Sequence, residues 1–166
     1  LRLGLDRNSA ALIIARSDML GLADPEIPAM LDALHRHGST KAFECEDAAE
    51  GERYARARRM VIPAVEVQGS LMLGDVGVSI VRLADLVAGV ERIAAARDVT
   101  IAFIAHAGDG NTHPLVVFDP SDPDLTERAT LAYGEVMDLA LELGGTITGE
   151  HGVGRLKRPW LVKQIG

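Results

Sequence analysis

The strongest constraint on this chain is a pair of apolar, β-branched runs on either side of a glycine-rich turn. Val99–Ala105 and Pro114–Phe118 read as neighbouring strands. Paired across so short a connection, they would be antiparallel and form a hairpin. The elements around it follow no strict strand–helix alternation. Residues 10–16 and Thr40–Cys45 read as short strands, and residues 75–81 as a half-exposed one. Asp24-Pro25 supplies an N-cap for a helix carrying Ile27, Met30, Leu31 and Leu34, which Gly38 ends. Asp47–Met60 reads as a second helix. Leu83, Leu86, Val87, Val90, Ile93 and Ala94 form one face of a third. Ser121-Asp122-Pro123 opens the longest helix, which runs to about Leu143 and stops at Gly144-Gly145. The order is βαβα followed by βαββα. It predicts an α+β fold of ferredoxin-like plait type, with a mostly antiparallel sheet and helices packed on it.

Composition narrows the function classes. With 166 residues the chain is long enough for one domain with a proper core, taken as residues 1–166. Neither a membrane-spanning run nor a signal peptide is present. Cys45 is the only cysteine, which fits a reducing compartment and a cytoplasmic placement. The net charge of −7 argues against nucleic-acid binding. Basic residues gather at Arg53, Arg56, Arg58 and Arg59, and again at Arg155, Lys157 and Arg158. Solvated faces are the ordinary reading of such clusters, and a patch for a small anion is the sharper one. Dinucleotide and P-loop fingerprints are absent, as are H-E-x-x-H, C-x-x-C and G-x-S-x-G. The chain has no initiator Met and stops at Gly166, so it reads as a fragment of something longer.

Two segments concentrate the chemistry. In His106-Ala-Gly-Asp-Gly-Asn-Thr-His113, histidines stand at the inner ends of the two hairpin strands. Paired across the hairpin, they would lie opposite each other and converge on one metal ion. Asp109 and Asn111 add polar groups that can orient an imidazole or meet a ligand. As turn residues, however, Asp-Gly and Gly-Asn are ordinary. The second segment is Gly144-Gly-Thr-Ile-Thr-Gly-Glu-His-Gly-Val-Gly154. There Glu150 offers a third ligand and His151 a general base. In an extended segment these neighbours point to opposite sides, one toward a metal and one toward substrate. A helix cap followed by a flexible turn is the plain alternative. On residues alone, the reading stops at an expectation of metal-assisted chemistry on a small polar substrate.

These two motifs resemble the C-terminal domain of FAD-linked oxidases, a family that includes D-lactate dehydrogenase, the glycolate oxidase flavin subunit and D-2-hydroxyglutarate dehydrogenase. Arg58-Arg59, Pro63-Ala64, Asp75-Val76-Gly77-Val78 and Arg82-Leu83 follow in the family's order, so the resemblance covers nearly the whole chain. It implies a substrate-side domain whose sheet covers a flavin held by a separate FAD-binding domain of the same full-length chain. It further implies FAD-dependent oxidation of a D-2-hydroxy acid such as lactate or glycolate. His106, His113 and Glu150 match positions that bind a divalent metal, usually zinc. His151 matches the proton acceptor and Arg58 a partner for the substrate carboxylate, while Asn111 and Gly110 fall in the loop nearest the flavin. Leu73 stands where some relatives place a substrate-binding Lys, which disfavours a dicarboxylate; Ser79 replaces a common Pro. The family's terminal Asn-Pro-Gly-Lys is absent, and without an FAD-binding domain the fragment is expected to be inactive. An apolar flavin-facing surface, left bare, would favour a homodimer. Two rivals stand beside this reading: a metal-dependent hydrolase built on the same His/Glu set, and a non-catalytic ferredoxin-like binding module.

Overall fold

A computed structural model describes residue 3, residues 11–17 and residues 23–166. The chain divides into two compact units, Leu1–Val61 and Ile62–Gly166. The first holds helices α1 (Ala23–Arg36) and α2 (Ala48–Arg59). Gly38, at φ +81°, ends α1 as expected, although the helix begins at Ala23, so Asp24 lies within its first turn. The Asp47 carboxylate caps α2 by accepting from the Glu50 N–H at 2.7 Å, and the Glu50 carboxylate accepts from Glu46 N–H at 2.7 Å. The first bond satisfies a donor the helix leaves open, and the second ties the residue before the cap to the same turn. Two expected strands do not form. Residues 11–16 and 41–45 are irregular, and residue 10 lies outside the described residues. A strand exists only through a pairing partner, and the first unit contains none of the described strands.

The second unit carries the sheet. Its elements are α3 (Val61–Glu66, whose first residue belongs to the other unit), β1 (Ser70–Leu73), β2 (Val76–Gly77), a 3₁₀ turn (Ile80–Arg82), α4 (Leu83–Arg97), β3 (Ile101–His106), β4 (Asn111–Phe118), α5 (Pro123–Glu142) and α6 (Arg158–Ile165). Only Val76–Gly77 of the strand expected over residues 75–81 is formed, and β1 before it is an addition. β4 is the middle of an antiparallel sheet, with β3 along one side and β1 and β2 along the other. The fold is α+β with an antiparallel sheet, as the sequence predicts.

β1 and β2 are one ribbon interrupted at Gly74-Asp75, because Ser70↔Phe118 and Val76↔Thr112 keep the same register across the gap. The interruption has a chemical cause. Gly74 N–H donates to Pro114 O at 2.8 Å, but Pro114 has no N–H to return. A Cβ on Gly74 would lie 2.8 Å from Pro114 Cγ, so only glycine fits opposite that ring. Freed from the ladder here, the ribbon turns Asp75 fully into the interior.

One face of the sheet is covered by helices. Ala129, Ala132, Tyr133, Val136, Met137 and Ala140 recur at helical spacing along α5, and they bury against Val76, Val116 and the Leu86–Val90 face of α4. The Asp122 carboxylate caps α5 by accepting from Leu125 N–H at 3.0 Å, and Gly144, at φ +74°, ends it. Among the described residues no helix is long and apolar enough to cross a membrane.

Burial, followed by the negative charge of Asp75, pushes the Tyr133 hydroxyl up to about 12. Tyrosine is neutral when protonated, so this contribution is complete below pH ~10 and disappears as pH rises through ~12. Urea melts of the wild type are expected to lose roughly 2 kcal/mol over that interval relative to Tyr133→Phe. Parallel curves for the two proteins would show that the hydroxyl does not titrate differently on folding.

Candidate active site

The hairpin places both histidines on one sheet face, though not directly opposite each other. His106 pairs with Asn111, and His113 pairs with Ile104, so the two are diagonal neighbours. Their rings still meet edge to face, with centroids 5.3 Å apart. The expected opposite pairing fails because β4 begins at Asn111 rather than at Pro114, leaving a four-residue turn. That turn is held by its own atoms. Asp109 and Gly110 N–H groups donate to His106 O, and the Asp109 carboxylate accepts from Asn111 N–H at 2.9 Å. Asp109 is therefore committed to the turn. Gly110, at φ +79°, brings the chain back against Val78, whose N–H donates to Gly110 O at 3.1 Å.

The third contributor comes from the segment after α5. Gly149, Glu150 and His151 lie in a bend, not in the extended conformation the sequence suggests. Their three successive N–H groups all point at the Asp75 carboxylate, at 3.0, 3.2 and 2.8 Å, and Thr148 Oγ1 donates to it at 2.9 Å. Successive N–H groups of an extended chain alternate in direction, so a single acceptor for three of them forces a bend. In consequence Glu150 and His151 turn toward the same place. Glu150 Oε1 is 2.9 Å from His113 Nε2, 3.5 Å from His106 Nε2 and 3.6 Å from His151 Nε2. The His151 ring stacks on that of His113, 4.8 Å between centroids and 15° between planes.

His113 is buried; His106 is half-buried; Glu150 and His151 are exposed. A cleft of about 610 Å³ beside them is lined by Gly77, Val78, Asn111, Thr148, Gly149 and Glu150. Asn111 reaches across it, and a Cβ on Gly149 would sit 2.1 Å from Asn111 Oδ1. Two buried polar atoms at this site, Asn111 Oδ1 and His113 Nδ1, have no hydrogen-bond partner. Arg58 lies exposed in the last turn of α2, in the first unit.

The donor set fits a divalent metal. One ligand atom each from His106, His113 and Glu150 lies within 4.8 Å of the others, and two imidazoles with a carboxylate suit zinc chemically. The sequence reading missed Asp75 and Lys157. Burial alone would raise the Asp75 carboxyl, but the N–H of His151, the Thr148 hydroxyl and the N–H groups of Gly149 and Glu150 outweigh it and hold it down at about 2. Lys157 is not part of a solvated basic face. It is buried, donates from Nζ to Asp75 O at 2.9 Å, and lies 3.5 Å from Asp75 Oδ2. Burial lowers its ammonium, opposed by the neighbouring Asp75 charge and hydrogen bond. The readable signal was an acidic residue inside an apolar run and, far along the chain, glycine-rich backbone in need of an acceptor. Arg155 and Arg158 are exposed, as the ordinary reading of that cluster has it.

Comparison with known proteins places this geometry in context. Residues 4–166 match the family model described as FAD linked oxidases, C-terminal domain. The chain is 33% identical over 167 residues to the glycolate oxidase subunit GlcD of Bacillus subtilis, covering 99% of this chain and 35% of that protein. It is 35% identical over 127 residues to GlcD of Escherichia coli K12, covering 76% of this chain and 26% of that protein. A mitochondrial D-lactate dehydrogenase [cytochrome] of Arabidopsis thaliana is 39% identical over 95 residues, covering 57% of this chain and 17% of that protein. The chain thus spans about a third or less of the length of these relatives.

Proposed function

Because the chain belongs to the FAD linked oxidases, through their C-terminal domain, we propose that it is the substrate-side part of an enzyme oxidising a D-2-hydroxy acid to the 2-oxo acid. The observation that carries this reading is the convergence of three imidazoles on Glu150 Oε1, beside an open cleft. His106, His113 and Glu150 hold a divalent metal, zinc by the chemistry of the set. When bound, the metal supplies Lewis acidity for the substrate's hydroxyl and carboxylate oxygens, and FAD supplies the hydride acceptor.

The chain's own residues do the rest. His151 takes the hydroxyl proton at a ring nitrogen, and its stacking on His113 keeps the ring beside the metal ligands. Asn111 and Gly110, in the turn beside the cleft, are the residues assigned to the flavin side. The oxidation removes one proton and one hydride from the hydroxy acid, leaving a carbonyl at C2.

The domain is taken as residues 1–166, and its partner is an FAD-binding domain in the same full-length protein, in keeping with relatives roughly three times longer. The cytoplasmic placement rests on the single Cys45.

The test is anaerobic mixing of the full-length, FAD-loaded protein with D-lactate, L-lactate and glycolate. Bleaching of the flavin band by D-lactate or glycolate, and at least ~100-fold slower bleaching by L-lactate, is the expected result. A protein that no 2-hydroxy acid bleaches, or that hydrolyses a substrate equally well without flavin, would overturn the reading.

A further inference from the structure

We propose that Asp75 is a positioning residue for this site, the buried carboxylate that sets where Glu150 and His151 stand relative to His113. Asp75 is fully buried at the break between β1 and β2, where Pro114 accepts from Gly74 N–H but has no N–H to return. Its carboxylate accepts from Thr148 Oγ1 and from the N–H groups of Gly149, Glu150 and His151, at 2.8–3.2 Å. Hydrogen bonds to an ionised acceptor are the strong ones, so four on one group dictate the path of the segment. The two side chains that leave this segment are Glu150 and His151, both directed at His113. Asp75 also faces His113 directly, with Oδ1 3.9 Å from the unpartnered Nδ1. His113 thus stands between two carboxylates, with Asp75 on its Nδ1 side and Glu150 on its Nε2 side. Lys157 completes the arrangement by holding the Asp75 carbonyl and standing beside its carboxylate, which ties the start of α6 to the same point.

Asp75 therefore meets the backbone of Glu150 and stands 3.9 Å from the far nitrogen of His113. Asp75 touches no substrate in this account. It acts through Glu150, His151 and His113. The inference rests on the reading of His106, His113 and Glu150 as metal ligands, and its test separates the two.

The experiment compares wild type, Asp75→Asn and Thr148→Val in the full chain by three readouts: zinc titration calorimetry, the visible spectrum with cobalt(II), and residue-resolved amide hydrogen exchange. Asp75→Asn keeps the shape and removes the charge. Zinc affinity is expected to fall about 10–100-fold. The cobalt band should change, because its intensity follows ligand geometry, and exchange at Gly149, Glu150 and His151 should accelerate while β4 and α5 keep their protection. Thr148→Val removes one donor only and is expected to weaken zinc about two- to tenfold, with the same local exchange pattern. This milder variant decides the matter if Asp75→Asn does not fold. Wild-type zinc affinity, cobalt spectrum and local exchange in the folded variants would overturn the proposal. So would protection lost evenly across β4 and α5, which would make Asp75 a general determinant of the fold. If the wild type takes up no zinc, the metal reading fails, and the exchange pattern alone decides for or against Asp75.

Discussion

The His106→Ala, His113→Ala double variant is expected to bind zinc more than ~100-fold more weakly than the wild-type chain, with its fold intact. The size follows from ligand counting. Loss of a partner that merely orients a ligand costs about 10–100-fold in affinity, and this variant removes two of three ligands outright. What remains is Glu150, an exposed carboxylate, which alone holds zinc poorly. Wild-type binding should be near-stoichiometric, because the three ligand atoms already lie within 4.8 Å and little ordering remains. His106 and His113 lie on the sheet face away from the α5-packed core cluster, so the substitutions should spare that core. Calorimetric titration with zinc and manganese, alongside a circular dichroism melt, reads both quantities. Equal zinc affinity in the two proteins would remove the hairpin histidines from any metal site.

The second large effect is structural and falls at a residue the sequence associates with the flavin. Gly110→Ala is expected to destabilise the domain by roughly 3 kcal/mol, from left-handed strain together with an unrelieved contact. The residue has φ +79°, and a Cβ there would sit 2.0 Å from Val78 O. That oxygen belongs to backbone, so no side-chain rotation makes room. Moving it would break the Val78 N–H to Gly110 O bond that closes the turn against β2. Gly108 provides the control within the same turn, since a Cβ there meets nothing within 4 Å. Gly108→Ala should stay within about 0.5 kcal/mol of wild type in urea melts. Because the melts need no flavin, they measure the conformational requirement by itself. Equal stability of the two variants would sink this account of Gly110.

How much of this was legible in the sequence depended on how local each signal was. Asp47 and Asp122 announce α2 and α5 because a cap needs only the next three residues. The α4 face and the β3–β4 hairpin were equally readable, from periodicity and a glycine-rich turn. Residues 11–16 were not: an apolar run resembles a strand whether or not a partner exists, and here Leu12 and Ile13 are at least half exposed. β1 escaped notice because Ser-Leu-Met-Leu is short and has no β-branched residue. At the site, the histidines and Glu150 were found by residue type and motif. Their diagonal register was not, since it depends on where the turn closes. Asp75 carried the least local signal of all. Every group that defines its role lies 38 to 82 residues further along the chain.

The same separation has a consequence for the order of assembly. The contact between Asp75 and His151 closes a loop of 76 residues that includes α4, the hairpin and α5. Closing so long a loop is entropically costly until the intervening elements have docked, whereas the His106–His113 turn forms from neighbours. The expected order is that the two imidazoles meet first and Glu150 joins them once α5 has packed on the sheet. On the metal reading proposed above, the full donor set exists only once that loop has closed, so an ion held there would act as a latch on the loop.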